Sequence, residues 1–110
     1  MSTVNYFAGN SQKLRIDPES NSRYWSIRSE KMSFTYFEVP PHTHFLTHKH
    51  FSEQITYVLM GELFFEAGNK TYLLSKGDSI VIPSNVEHRV WTTSAGATAV
   101  DSWTPANERY

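Results

Sequence analysis

Apolar and polar residues alternate along most of the chain after its first two dozen residues. An alternation of period two places every second side chain on the same face, which is typical of a β-strand with one buried face. Many of these segments are also rich in the β-branched and aromatic residues that strands favour. The pattern predicts about eight short strands, over residues 23–29, 33–39, 53–60, 62–67, 71–75, 79–83, 88–93 and 97–103.

Turn-forming residues separate the predicted strands. Gly61 divides two of them, and the sequences GNK (68–70) and KGD (76–78) separate others. Strands this close in sequence pair mainly as antiparallel neighbours, so the pattern predicts an all-β sandwich or small barrel. We predict a polar N-terminal segment over 1–22, serving as an extra strand or a dimer arm, and a single domain over 23–110.

Composition excludes several classes of function. A chain of 110 residues suffices for one domain with a single core, and a net charge of −1 without blocks of like charge argues against nucleic acid as a partner. The absence of cysteine excludes disulfides and thiolate chemistry. The sequence shows neither a signal-peptide pattern nor an apolar run of about 20 residues, so we predict a cytoplasmic protein without membrane contact.

The histidines follow a pattern suited to metal binding. Side chains two residues apart in a strand share a face, so His48 and His50 point together, and Gln54 joins them if the strand continues. A second segment, 77–88, ends in His88 directly after a turn. Three neutral imidazoles and one amide oxygen suit one divalent transition metal such as Ni, Zn, Fe or Mn. Open positions on such an ion would polarise a carbonyl or hydroxyl group of a small-molecule substrate.

Other interpretations of these residues stay open at this level. A lone His-x-His pair is commonly a surface or turn feature. His42 and His44 can instead form the pair with His48 as third ligand, or lie in a loop at the barrel mouth and contact substrate. Glu53 precedes Gln54 by one residue, and strand alternation should turn Glu53 away from the metal.

The two histidine segments together resemble the motifs of the cupin superfamily. HKHFSEQITYVLMG and GDSIVIPSNVEHRVWT align with these motifs through His48, His50, Gln54, Gly61, Gly77, Pro83 and His88. The departures are His42 for a glycine, Gln54 for a glutamate, Asn85 for a glycine and Thr92 for an asparagine. Asparagine tolerates a left-handed backbone better than most residues, so the exchange at Asn85 is a mild one. The resemblance implies a jelly-roll fold for about residues 23–103.

A narrower resemblance is to the small single-domain cupins of the KdgF family, which open the ring of 4,5-unsaturated uronates. Those proteins hold a metal with three histidines and a glutamine, and an aspartate, an aromatic residue and an arginine complete their site. Asp101 and Trp103 match the first two, whereas Asn107 takes the place of the arginine and Arg109 is a nearby substitute. The resemblance implies Asp101 as general acid/base and a homodimer as the assembly.

We therefore predict a metal-dependent lyase or isomerase that acts on a small, polar, sugar-acid-like substrate. The predicted metal ligands are His48, His50, Gln54 and His88, the catalytic residue is Asp101, and the substrate contacts are Trp103, Arg109, Tyr36 and His42. The alternative for Asp101 is a strand-end carboxylate paired with Arg28 or Arg89. An Fe(II)-dependent dioxygenase and a non-catalytic small-molecule-binding protein are the competing functions.

Overall fold

Residues 3–110, described by a computed structural model, form an all-β fold without an α-helix. Besides a 3-10 turn at Gly9–Ser11, this part of the chain contains eight strands. They are β1 (Arg15–Ile16), β2 (Arg23–Arg28), β3 (Ser33–Val39), β4 (Glu53–Ala67), β5 (Lys70–Ser75), β6 (Ser79–Ile82), β7 (His88–Trp91) and β8 (Ala97–Thr104). The predicted all-β jelly-roll class is confirmed. No helix among residues 3–110 is long and apolar enough to span a bilayer.

Two antiparallel sheets share the longest strand, β4. The first sheet has the order β1-β2-β3-β8-β4-β6, and in the second sheet β4 lies between β5 and β7. Residues 53–61 of β4 pair with β8, and residues 62–67 pair with β5. One strand thus belongs to both layers, and alternate residues of its N-terminal half, Gln54, Thr56 and Val58, face the interior.

Gly61 bends β4 without interrupting it. The sequence pattern predicted separate strands over 53–60 and 62–67, and the predicted break was wrong because the strand is continuous. The register shifts between Val58 and Met60, and Gly61 adopts a φ of 78°. A Cβ at Gly61 would lie 1.9 Å from the carbonyl oxygen of Gly96. Glycine is therefore needed here for both its backbone conformation and its lack of a side chain.

The interior is apolar toward one end and polar toward the other. Alternate residues of β3 and β8 face inward, which buries apolar side chains on both strands. The main apolar cluster comprises Val58, Leu63, Phe65, Leu74, Ile82, Val90, Ala97 and Ala99. The same alternation buries a polar group comprising Gln54, Thr56, His88 and Asp101. Because buried polar groups destabilise a fold unless they are paired, their concentration indicates a functional site.

The N-terminal loop and the C-terminal residues are tied together by Arg109. Its guanidinium donates to Asp17 at 2.8 Å and pairs with Glu19 at 2.7 Å. Glu19 also accepts a hydrogen bond from the backbone N–H of Leu46 at 3.0 Å. Burial raises the pKa of Asp17, but hydrogen bonds from Ser20 and Arg109 outweigh it, so that the pKa lies below its usual value. The ionised carboxylates hold three distant parts of the chain together.

Replacing Gly61 by alanine is expected to destabilise the fold by at least about 3 kcal/mol, because backbone strain adds to a clash with the Gly96 carbonyl. Gly68→Ala is the matched control, since Gly68 also has a positive φ (57°) but a Cβ there would meet nothing within 4 Å. It should cost only about 1 to 2 kcal/mol. Urea unfolding of both variants measures the difference, and equal losses would show that the strand can shift away from Gly96.

Candidate metal centre

His48 and His88 are brought together by backbone pairing between two distant segments. The segment before β4 runs antiparallel to β7 and the residues around it. The N–H of His48 donates to the carbonyl of His88 at 3.0 Å, and the N–H of His88 donates to the carbonyl of His48 at 2.9 Å. The two imidazole rings consequently lie with their centroids 4.3 Å apart.

The turn before β7 fixes His50 relative to His88. Asn85 adopts a φ of 61°, which confirms that asparagine takes a left-handed backbone in this turn. Its N–H donates to the carbonyl of His50 at 2.8 Å. The rings of His50 and His88 therefore lie 4.9 Å apart, nearly perpendicular to each other at 77°.

In all three imidazoles, Nδ1 forms a hydrogen bond with a backbone carbonyl oxygen. The Nδ1 atoms of His48, His50 and His88 lie 2.7, 2.8 and 2.8 Å from the carbonyl oxygens of Leu46, Ser52 and Val86. A carbonyl can only accept, so each Nδ1 carries the proton, which leaves the lone pair of a neutral imidazole on Nε2. Supporting hydrogen bonds of this kind fix the tautomer of metal-ligating histidines.

The three histidines form a group able to bind a metal, with potential ligand atoms that lie within 4.8 Å of one another. The Nε2 atom of His88 is buried and has no hydrogen-bond partner. Burial lowers the pKa of His88 to about 4, although the hydrogen bond to the Val86 carbonyl acts in the opposite direction. His88 is thus neutral at pH 7, with an unsatisfied lone pair that suits a cation.

Gln54 extends this group by one oxygen. Its Oε1 lies 3.0 Å from Nε2 of His50, so two atoms that each present a lone pair face one another. Metal–nitrogen and metal–oxygen bonds are about 2.1 Å long, and two ligands at a right angle then lie about 3.0 Å apart. Gln54 is buried whereas Glu53 is exposed. The side chains therefore fit a divalent metal held by His48, His50, Gln54 and His88.

Asp101 joins the same network from the neighbouring strand. Asp101 lies opposite Thr56 in the β4–β8 register and accepts a short hydrogen bond from its hydroxyl group. The Nε2 amide group of Gln54 donates to the Thr56 hydroxyl at 2.8 Å. Burial raises the pKa of Asp101 to about 7, although hydrogen bonds from Thr56 and Gln54 lower it. A carboxyl group that titrates near neutrality can both accept and return a proton.

Neither arginine considered as a partner of Asp101 contacts it. Arg28 donates to the backbone carbonyls of Asn107 and Tyr110, and Arg89 pairs with Glu66 on the outer surface. The interpretation of Asp101 as an arginine-paired carboxylate was therefore wrong.

One cavity is lined by part of the buried polar group and by an apolar wall. His48, Gln54, His88, Asp101 and Trp103 line it together. The remaining lining residues are Phe37, Val39, Phe45, Leu63, Phe65, Val90, Ala99 and Tyr110. The Trp103 ring meets His50 edge-on at 5.3 Å, and its Nε1 donates to Thr35 at 3.1 Å. Trp103 is thus positioned as a rigid wall of the cavity beside the imidazoles.

Two predicted substrate contacts do not reach this cavity. Tyr36 lies on the opposite face of β3 from the buried residues, where its ring stacks on Trp25 at 5.5 Å. His42 is exposed in a turn with a φ of 53°, its N–H donates to the carbonyl of Thr93 at 2.8 Å, and it is not among the residues that line the cavity. His44 is exposed beside Trp91. Alternation identifies which residues share a face, but it did not show which face of β3 is the inner one.

Arg109 lies in an outer pocket rather than in the main cavity. That pocket also contacts His48, His50 and Trp103. The guanidinium is held by Asp17 and Glu19, so a substrate carboxylate would have to compete with these two groups.

Sequence reasoning missed Thr56 and Tyr110. Thr56 shares the inward face of β4 with Gln54, a signal that strand alternation contained. Tyr110 packs against Phe37 at 4.9 Å through the fold of the C-terminal residues, which no local pattern predicts.

The family model of the cupin domain matches residues 35–102, more than half of the chain. An RmlC-like cupin from Shewanella frigidimarina is 20% identical, with a TM-score of 0.84 over 96% of this chain and 95% of that one. KdgF from Halomonas sp. is 18% identical, with a TM-score of 0.84 over 96% and 97%. The polyketide cyclase RemF from Streptomyces resistomycificus is 19% identical, with a TM-score of 0.78 over 93% and 80%. At these identities the structural matches show the fold alone. A sequence comparison with curated proteins finds no match.

Replacing His88 by alanine is expected to weaken Ni²⁺ binding by more than about 100-fold. Loss of a hydrogen bond that only supports a ligand costs about 10- to 100-fold, and loss of the ligand itself should cost more. The physical reason is that a buried lone pair is removed from the ligand set. Isothermal titration of the folded protein and elemental analysis measure the effect. His44→Ala is the control, because His44 is exposed on the same segment and lies outside the histidine group. Equal affinity in both variants would contradict the assignment.

Proposed function

The chain belongs to the cupin domain family, and from that premise we propose that it is a metal-dependent enzyme of the lyase or isomerase kind. Its substrate is a small, oxygen-rich molecule. One observation carries the proposal: the buried carboxyl group of Asp101 faces the same cavity as His48, Gln54 and His88. Buried carboxyl groups with a raised pKa cluster at catalytic sites, which favours an enzyme over a protein that only binds a metal.

The ligand set decides what chemistry the site can supply. His48, His50, His88 and Gln54 would all coordinate as neutral groups, so no ligand charge offsets the double charge of the cation. When bound, the ion acts as a Lewis acid that polarises a carbonyl, carboxylate or hydroxyl oxygen of the substrate. The hydrogen bonds from each Nδ1 to a backbone carbonyl keep the imidazoles oriented for this task.

Asp101 moves the proton in this proposal. It takes a proton from the hydroxyl group on the carbon bonded to the ring oxygen, and that carbon becomes a carbonyl as its bond to the ring oxygen breaks. The ring oxygen becomes a ketone oxygen as the alkene π pair takes up the proton at the other alkene carbon. The ring thus opens as an isomerisation, without net change in atoms or oxidation state. Thr56 holds one carboxylate oxygen of Asp101 in place. The Trp103 ring and the apolar wall exclude water and confine the substrate against the imidazoles.

The first substrates to test are 4,5-unsaturated uronates. The motif resemblance to the KdgF family and the fold shared with KdgF from Halomonas sp. support this choice. The pairing of Arg109 with Asp17 and Glu19 means that a uronate carboxylate would be recognised by the metal, unless it displaces Glu19. The fold shared with a polyketide cyclase makes other enolisable carbonyl compounds the next panel.

Replacing Asp101 by asparagine is expected to lower the rate of alkene loss by about 100- to 10,000-fold while metal content stays the same. Asparagine keeps the shape and an oxygen that accepts from Thr56, but it cannot carry the proton. The measurement is loss of the alkene absorbance of the substrate, with metal content determined on the same sample. Asp78→Asn is the control, because Asp78 is an exposed turn residue that should leave both quantities unchanged. Full activity in Asp101→Asn would exclude Asp101 as the acid/base.

The same assay under strictly anaerobic conditions separates the competing enzyme class. Lyase or isomerase turnover should continue at an unchanged rate, since no step consumes dioxygen. Turnover that stops without dioxygen and resumes on its addition would identify an oxygenase.

A further inference from the structure

Thr56 occupies the centre of the polar group, and the mechanism above uses it only as a support for Asp101. It lies on the inner face of β4, two residues after Gln54, and is 1% exposed. In the β4–β8 register it stands directly opposite Asp101. Its hydroxyl group is thus placed between a candidate metal ligand and the candidate acid/base.

The hydrogen bonds through Thr56 run in one direction. A threonine hydroxyl has one proton to donate and lone pairs with which to accept. The proton of Thr56 goes to Oδ1 of Asp101, and its oxygen accepts from the amide Nε2 of Gln54 at 2.8 Å. The remaining end of the Gln54 amide, Oε1, then points to Nε2 of His50 at 3.0 Å.

This direction determines which atom Gln54 presents to the metal. If the amide were turned over, Oε1 would face Thr56 and would need the same hydroxyl proton that Asp101 receives. The turned amide would also present its NH₂ group, which has no lone pair for a cation, toward the histidines. Thr56 therefore favours the one orientation of Gln54 that can coordinate a metal.

A glutamine ligand needs a hydrogen bond that fixes its orientation more than a glutamate would. A carboxylate has two equivalent oxygens, so either orientation coordinates, whereas an amide has a single ligating oxygen. We propose that Thr56 is a positioning residue of the metal centre, whose hydroxyl group orients the Gln54 amide toward the metal and couples this ligand to Asp101. The inference rests on the metal centre that the proposed function assumes.

Thr56→Val is the direct test, because valine keeps the branched shape and removes the hydroxyl group. Ni²⁺ affinity, measured by isothermal titration of the folded protein, should fall by about 10- to 100-fold, the usual cost of losing a partner that orients a ligand. Thr56→Ser keeps the hydroxyl group and should bind Ni²⁺ within about 3-fold of the unmodified protein. If Thr56→Val does not fold, Thr56→Ala is compared with Thr56→Ser in the same titration.

Thr35→Val is the matched control for the loss of a buried hydroxyl group. Thr35 is 0% exposed and stands opposite Asp101 on the other side of β8. Its hydroxyl oxygen contacts Ser26 and accepts from Trp103, neither of which is a candidate metal ligand. This variant should lose stability but keep its Ni²⁺ affinity within about 3-fold, since no ligand depends on it.

A double-mutant cycle with Gln54→Glu tests the orientation argument itself. In the Gln54→Glu background either carboxylate oxygen can coordinate, so Thr56→Val should weaken Ni²⁺ binding by less than about 3-fold. An undiminished loss in that background would show that Thr56 acts through packing, and an unchanged affinity in Thr56→Val alone would overturn the proposal. Both outcomes leave the metal centre intact, whereas Ni²⁺ binding unaffected by His88→Ala would remove the metal centre itself.

Discussion

Two backbone hydrogen bonds between His48 and His88 assemble the group of histidines that is able to bind a metal. They set the register of the segment before β4 against β7, and with it the positions of two imidazole rings from distant parts of the chain. The hydrogen bond from Asn85 to the carbonyl of His50 adds the third ring to the same frame. A slip of one residue in this pairing would turn the side chains to the other face and disperse the site.

The interior buries apolar side chains, which stabilise the fold, and polar groups, which destabilise it unless they are paired. Apolar side chains from both sheets stabilise one end, while the other end buries a carboxyl group, an amide and an unsatisfied imidazole nitrogen. Most of the cost is offset by hydrogen bonds, through Thr56 to Asp101 and from each Nδ1 to a backbone carbonyl. The Nε2 atom of His88 is left without a partner, and a cation is the natural group to satisfy it.

The comparisons place the chain among cupins and leave its reaction open, because one fold of this kind carries many activities. Here the residues themselves narrow the choice. In the proposed function, four neutral ligands beside one buried carboxyl group favour Lewis-acid chemistry with proton transfer. Arg109, held by Asp17 and Glu19, is a structural tie as well as a neighbour of the outer pocket. Under the proposed function, recognition of an acidic substrate would therefore depend more on the metal than on the guanidinium of Arg109.

The sequence by itself determined the all-β class and most of the turns, and it predicted the candidate metal ligands. Period-two alternation predicted that His48 and His50 share a face and that Gln54 joins them if the strand continues, and the cupin resemblance added His88. The strand begins only at Glu53, after a bend at residues 51–52. These signals do not show that the two segments meet, because that depends on the backbone pairing of His48 with His88. The continuity of β4 through Gly61, the outward face of Tyr36 and the position of His42 outside the cavity were decided only by the tertiary structure. So was the pairing of Arg109 with the N-terminal loop. The physical reason is that alternation defines two faces of a strand but not which one is buried. The ion pairs of Arg109 with Asp17 and Glu19 join segments that are far apart in sequence, so they depend on how the sheets place these segments.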